Sequence, residues 1–164
     1  MRRALLLAAL VLLAGCGFKL RGTAEVPFQT LYIPGASGGI ALDLKRSIQA
    51  GTDARVVDDP KQAHAVLEFS EESRHKEILS LTGTGRVREF QLRYQVGWRV
   101  HDGHGGIYVP QSTILLTRDV TFNDAEVLAK EAEEQLLFRD MQTDMVQQIM
   151  RRLAAAERLK PKVQ

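Results

Sequence analysis

The chain has 164 residues, 45% hydrophobic and 26% charged, with 22 Lys+Arg against 20 Asp+Glu and a single cysteine, Cys16. One domain fits that length, and one thiol cannot make an internal disulfide framework. The near balance of charge argues against a non-specific nucleic-acid binder, which needs a strong basic excess.

The first 15 residues are predicted to be a lipoprotein signal peptide. Arg2 and Arg3 precede the apolar run from Leu5 to Leu13, and Leu13-Ala14-Gly15 leads directly into Cys16. Such a run is shorter than the ~20 apolar residues that span a bilayer. Small residues before a cysteine suit lipoprotein processing. The Cys16 thiol would take a diacylglyceryl thioether, and cleavage before it frees an amine for a third, N-linked acyl chain. Each buried methylene adds ~0.8 kcal/mol, so two or more chains anchor firmly where one does not. Removing residues 1–15 leaves 20 basic and 20 acidic residues, a formally neutral mature chain. Residues 16–27, with Gly17, Gly22 and Pro27, read as a lipidated tether. Residues 28–159 form a single α+β domain in this reading, and residues 160–164 a C-terminal tail.

Phe28 to Ile33 has strand composition and is ended by Pro34-Gly35. Ile40, Leu44 and Ile48 then repeat at helical spacing, with Gly51 as a stop. Val56-Val57 and Ala65 to Phe69 resume an extended pattern around the Asp58-Asp59-Pro60 break. The clearest signal is Glu89 to Val100. There Phe90, Leu92, Tyr94, Val96, Trp98 and Val100 alternate with mostly polar residues, predicting a long antiparallel strand with one buried face. Gly83-Thr84-Gly85 before it and Asp102-Gly103-His104-Gly105-Gly106 after it supply the turns of a three-stranded meander. The third of these strands runs from Ile107 to Phe122, with Pro110 marking an edge position or a bulge.

Asn123 opens a final helix, with Glu126 as a variant of the capping box, and the helix is expected to reach about Leu159. Its apolar stripe, Phe138, Met141, Met145 and Ile149 flanked by Leu137, Val146, Met150 and Leu153, is read as core. The expected order is therefore β-α-β-β-β-α. It predicts an α+β fold, a four-stranded mixed β-sheet with two α-helices packed on one face. The first strand–helix–strand unit makes its strands parallel, and the remainder is antiparallel.

Chemistry is sparse. No Gly-x-Ser-x-Gly, His-Glu-x-x-His or Gly-x-x-x-x-Gly-Lys pattern occurs, so no catalytic set, cofactor or metal is assigned. His101-Asp102-Gly103-His104 supplies two metal-ligating side chains where a zinc site usually takes three or four, and it suits a hairpin turn. That turn nevertheless carries the competing reading, a periplasmic lipoprotein enzyme or metal-binding protein. Glu131-Ala132-Glu133-Glu134 reads as a solvated helix face. The remaining candidates are cations: Arg86 and Arg88 beside the glycine turn, Arg93 and Arg99 on the wet strand face, and Lys130 in the last helix.

Several segments together resemble the LptE-type lipopolysaccharide-assembly lipoprotein family. They are Cys16-Gly17-Phe18-Lys19-Leu20-Arg21-Gly22, Leu31-Tyr32-Ile33, Glu89-Phe90-Gln91-Leu92, Phe122-Asn123-Asp124 and Leu128-Ala129-Lys130, in that order along the mature chain. The resemblance implies a non-enzymatic protein, lipid-anchored at Cys16 on the periplasmic side of the outer membrane. Gly17 after the anchor fits outer-membrane sorting. The implied partners are a large outer-membrane β-barrel, which such a protein plugs and helps assemble as a heterodimer, and lipopolysaccharide. The family's lipid-contacting basic residue corresponds to Lys130. A second family arginine falls near Gly83, where Arg86 and Arg88 are the neighbouring candidates.

Overall fold

The computed structural model describes residues 26–156. The elements in chain order are β1 (Thr30–Tyr32), α1 (Gly39–Gly51), β2 (Arg55–Val57), β3 (Ala65–Leu81), β4 (Val87–His101), β5 (Ile107–Thr121) and α2 (Val127–Ala156). The fold is α+β, and its mixed sheet has five strands in the order β2-β1-β3-β4-β5. The strand beyond the expected four is β2. Asp59 caps a 3-10 turn at Pro60–Gln62, which separates Val56-Val57 from Ala65 and leaves them as a three-residue strand of their own. β1 lies between β2 and β3, parallel to both, while β3, β4 and β5 form an antiparallel meander.

α1 ends as its sequence spacing predicts, and Thr52 does the capping. Its N–H and its hydroxyl both donate to the Ile48 carbonyl, at 3.0 and 2.8 Å. α2 follows a 3-10 turn at Asp124–Glu126, where Asn123 Oδ1 accepts the Ala125 N–H at 3.1 Å. The helix runs for 30 described residues; the expected extension to Leu159 lies outside them. The signal peptide and most of the tether likewise lie outside the described residues. Val26, assigned to the tether, packs against the core.

The even positions of β4 face that core. Leu92, Tyr94, Val96, Trp98 and Val100 are all fully buried, with Ile40, Leu44 and Ile48 of α1 and Met141, Met145, Ile149 and Leu153 of α2 packed among them. Each such aliphatic side chain stabilises the fold by ~1.5–3 kcal/mol relative to exposure. The methionine stripe is thus structural packing.

Two bulges decide which side chains point where. On β5, Ser112 pairs with Trp98 and Val109 with Val100, so Pro110 and Gln111 together oppose Arg99. Pro110 sits in that bulge on the edge strand, where its missing N–H disturbs no ladder. On β3, Phe69 pairs with Trp98 but Glu71 with Gly97, leaving Ser70 as the extra residue. A Cβ on Gly97 would lie 2.6 Å from Ser70 Oγ, so glycine lets the bulge close on β4. Because facing side alternates along a strand, the Ser70 bulge reverses the phase of β3. Ala65, Leu67 and Phe69 face the helices before it; Glu72, Arg74, Lys76 and Ile78 share that side after it.

Candidate functional site

The wet face of the sheet is paired with itself. Arg99 grips Glu68 through Nε at 2.8 Å and Nη2 at 2.6 Å, and these hydrogen bonds hold the Glu68 carboxyl below its ordinary pKa. Gln95 donates to Glu71, Gln91 to Asp119, and Arg93 Nη1 to Glu77 at 3.4 Å. Arg93 and Arg99 therefore serve as cross-strand partners on a solvated surface, where each pair is worth ~0–1 kcal/mol.

The His101–His104 segment is the β4–β5 turn. His101 Nδ1 accepts the Gly103 N–H at 3.0 Å, which leaves the proton of a neutral ring on Nε2, 3.3 Å from Glu68 Oε1. Asp102 Oδ1 accepts the N–H groups of His104 and Gly106 at 2.7 and 2.8 Å, and these bonds lower its pKa. These polar groups close the turn. Among the described residues, no group of three or more His, Cys, Asp or Glu could hold a metal ion.

The opposite end of the meander has a different character. There Lys76, Phe90, Leu92, Val120, Phe122, Lys130 and Glu134 line a cleft between the first turns of α2 and the sheet. The Phe90 and Phe122 rings meet edge to face, 5.2 Å apart, and form its apolar floor. Lys130, its side chain 18% exposed, reaches Glu133 Oε2 at 2.9 Å and Thr121 Oγ1 at 3.3 Å. Lys76 pairs with Glu134 Oε2 at 2.6 Å, and its Nζ sits 4.3 Å from the centre of the Phe90 ring. Nearby, Ile78, Leu81 and Leu128 are exposed at 58%, 55% and 82%, an apolar tip around the β3–β4 turn and the start of α2. Cations above an apolar floor can bind an anionic amphiphile through both of its chemical halves.

The three sequence candidates fall at this end but not in one place. Lys130 lines the cleft. Arg86 ends the Thr82–Arg86 turn, where Thr82 N–H donates to its carbonyl at 2.7 Å and Gly85 adopts φ 80°. Arg88 lies two residues before Phe90 on β4, and its carbonyl accepts the Phe122 N–H at 2.8 Å. Both arginines are exposed at the tip. Lys76 was not among the candidates: only the Ser70 bulge puts it on the helix side of β3.

Next to the cleft, a polar cluster ties the layers together. Tyr94 Oη donates to Glu72 Oε1 at 2.6 Å and accepts from Arg74 Nη2 at 3.2 Å. Arg74 also donates to Gln142 Oε1, and Gln142 Nε2 donates to Asp43 Oδ2, each at 2.5 Å. This chain links β3 and β4 to α2 and then to α1. No helix among the described residues is long and apolar enough to cross a membrane.

Fold and site define the class: an α+β domain with a cationic, apolar-floored cleft at one end and a self-paired polar face behind it. A family model described as LptE, lipopolysaccharide-assembly, matches residues 27–153. The chain is 29% identical over 148 residues to the LPS-assembly lipoprotein LptE of Photorhabdus laumondii, covering 88% of this chain and 80% of that one. It is 30% identical over 150 residues to the protein of the same name from Yersinia enterocolitica, covering 88% and 71%. The solution structure of an uncharacterized lipoprotein B from Nitrosomonas europaea superposes with a TM-score of 0.74 at 45% identity, covering 85% of this chain and 91% of that one. The crystal structure of the rare lipoprotein B of Shewanella oneidensis shares the fold, with a TM-score of 0.66 at 24% identity over 78% and 94%. The chain belongs to the LptE lipopolysaccharide-assembly family, whose role is non-enzymatic.

Proposed function

We propose that this chain is an outer-membrane lipoprotein that plugs and helps assemble the β-barrel lipopolysaccharide translocon, and that it binds lipopolysaccharide during delivery to the cell surface. The observation that carries the binding part is Lys130 standing over the apolar floor of Phe90, Val120 and Phe122. Lipopolysaccharide is an amphiphile with anionic groups beside acyl chains, and this cleft offers a partner to each. Arg86 and Arg88 at the hairpin tip extend the cationic surface outward. Family membership supports the barrel partnership, and the self-paired wet face suits packing against a polar barrel interior. Cys16, with its signal-like flank, is the proposed acylation site on the periplasmic side.

Two results are expected. Protein recovered from detergent-solubilised outer membranes should carry acyl chains on its Cys16 peptide by mass spectrometry and bring a large β-barrel with it. An unmodified thiol, or recovery as a lone monomer, would count against the anchor or the plug respectively. Lys130→Asp should weaken lipopolysaccharide binding about tenfold or more, because it replaces attraction by repulsion at a half-buried position. The domain should stay folded, since the charge lost is paired only with Glu133 and Thr121. Unchanged binding with Lys130→Asp would remove that residue from the site.

A further inference from the structure

We infer that Lys76 is a second anion-binding residue of the distal cleft, and that Glu134 is an internal anion which gives up Lys76 when a phosphate-bearing amphiphile enters. The inference rests on the lipopolysaccharide-binding reading above and deepens it. Its starting point is charge balance inside the cleft. Lys76 pairs with Glu134 at 2.6 Å and Lys130 with Glu133 at 2.9 Å, so each cation of the empty site is neutralised by a neighbouring carboxylate of α2. Each of those carboxylates is a single acid on a rotatable side chain. A phosphate brings up to two charges and three acceptor oxygens, and so can satisfy an ammonium better than one carboxylate does.

Lys76 is also held where such an exchange needs it. Its Nζ lies 4.3 Å from the centre of the Phe90 ring, an attraction independent of Glu134. When Glu134 swings away, the ring keeps the ammonium over the floor of the cleft. The cost of ordering a free lysine on binding is thereby reduced. Glu134 has no comparable second partner recorded in the cleft; its printed contact is Lys76. The consequence is an intrinsic competition: Glu134 weakens binding of any anion that uses Lys76, and it favours ligands whose charge density exceeds its own.

The acylated protein in nonionic detergent, with fluorescently labelled lipopolysaccharide, tests this directly. Glu134→Gln keeps the side-chain shape and removes the competing charge, so affinity should rise about two- to fivefold, the range of an exposed ion pair converted to a binding ratio. Lys76→Ala should lower affinity, and Glu134→Gln should then add nothing in the Lys76→Ala background. A purely structural pair would show the reverse: Glu134→Gln would lower the thermal midpoint and leave affinity unchanged or weaker, and that outcome overturns the inference. With dephosphorylated lipopolysaccharide the gain from Glu134→Gln should disappear; a persisting gain would rule out phosphate as the group bound. Failure of the inference is distinguishable from failure of the underlying reading. If Lys130→Asp weakens binding while Glu134→Gln does not strengthen it, only the role of Lys76 and Glu134 falls. If neither variant changes affinity, the cleft itself is not the site.

Discussion

Trp98→Ala should lower stability by about 3–5 kcal/mol, among the largest losses any single substitution in this domain can cause. Trp98 is fully buried on β4, opposite Phe69 on one side and Ser112 on the other, at the level where both bulges bend the sheet. The flanking strands are pinned by their ladders and cannot collapse into the space an indole leaves. The residual cavity therefore adds to the lost burial. A domain of this size has ~5–15 kcal/mol in total, so the variant would sit near the edge of folding. Trp98→Phe should cost clearly less, for a reason beyond volume. No group among the described residues accepts a hydrogen bond from the buried Trp98 Nε1, so phenylalanine forfeits no such bond. Urea midpoints at unchanged slope measure both losses. A cost below ~1 kcal/mol for Trp98→Ala would mean that the ring is not enclosed as described.

Regular periodicity is what made most of this fold readable before any coordinates. The alternation from Phe90 to Val100, the Ile40–Leu44–Ile48 spacing and the methionine stripe of α2 each belong to an element long enough for its period to show. Each was found on the buried side it predicted. Pro110 could be placed as well, because a residue without an N–H has few homes in a sheet. β2 was folded into a neighbouring segment because three residues carry no period. Lys76 was missed for a deeper reason. Carried forward from Leu67 and Phe69, the alternation of β3 turns Glu71, Ser73 and His75 toward the helices and Lys76 toward water. The bulge at Ser70 inverts that, and a bulge is a relation between two strands, announced by nothing near position 70 except a glycine 27 residues away at Gly97. Glu134 was hidden in the same manner. Within Glu131-Ala132-Glu133-Glu134 it looks like one more solvated acid, yet its partner is 58 residues distant in sequence. Lys130 was nominated by family resemblance, since one lysine on a helix has no pattern of its own.

Tyr94→Phe should cost about 1–3 kcal/mol and change how the domain responds to alkali. The hydroxyl is the only neutral donor to Glu72 in its cluster, and it also accepts from Arg74. Removing it leaves a part-buried carboxylate facing Arg74 Nη2 at 3.6 Å and no hydroxyl beside the Gln142–Asp43 link. Burial of the phenol, then its hydrogen bond to Glu72, raises the Tyr94 pKa well above its ordinary value of 10.0. The sign follows from linkage. A group with a raised folded pKa binds its proton more tightly when folded, so its contribution is fully present below pH ~10 and declines as pH climbs through the folded value. Wild-type stability should fall with pH above ~10 more steeply than that of Tyr94→Phe, and the two curves should converge. Parallel curves would show that the hydroxyl is not held neutral by its surroundings. The cleft should feel the change too, because Gln142 and Glu134 ride on the same helix, and Arg74 stands one pleat from Lys76. A loosened contact between α2 and β3 spreads the distances among Lys76, Lys130 and the Phe90–Phe122 floor. Tyr94→Phe should therefore weaken lipopolysaccharide binding without touching the ligand, by less than Lys130→Asp does. The loss should shrink as temperature is lowered and the helix settles back onto the sheet.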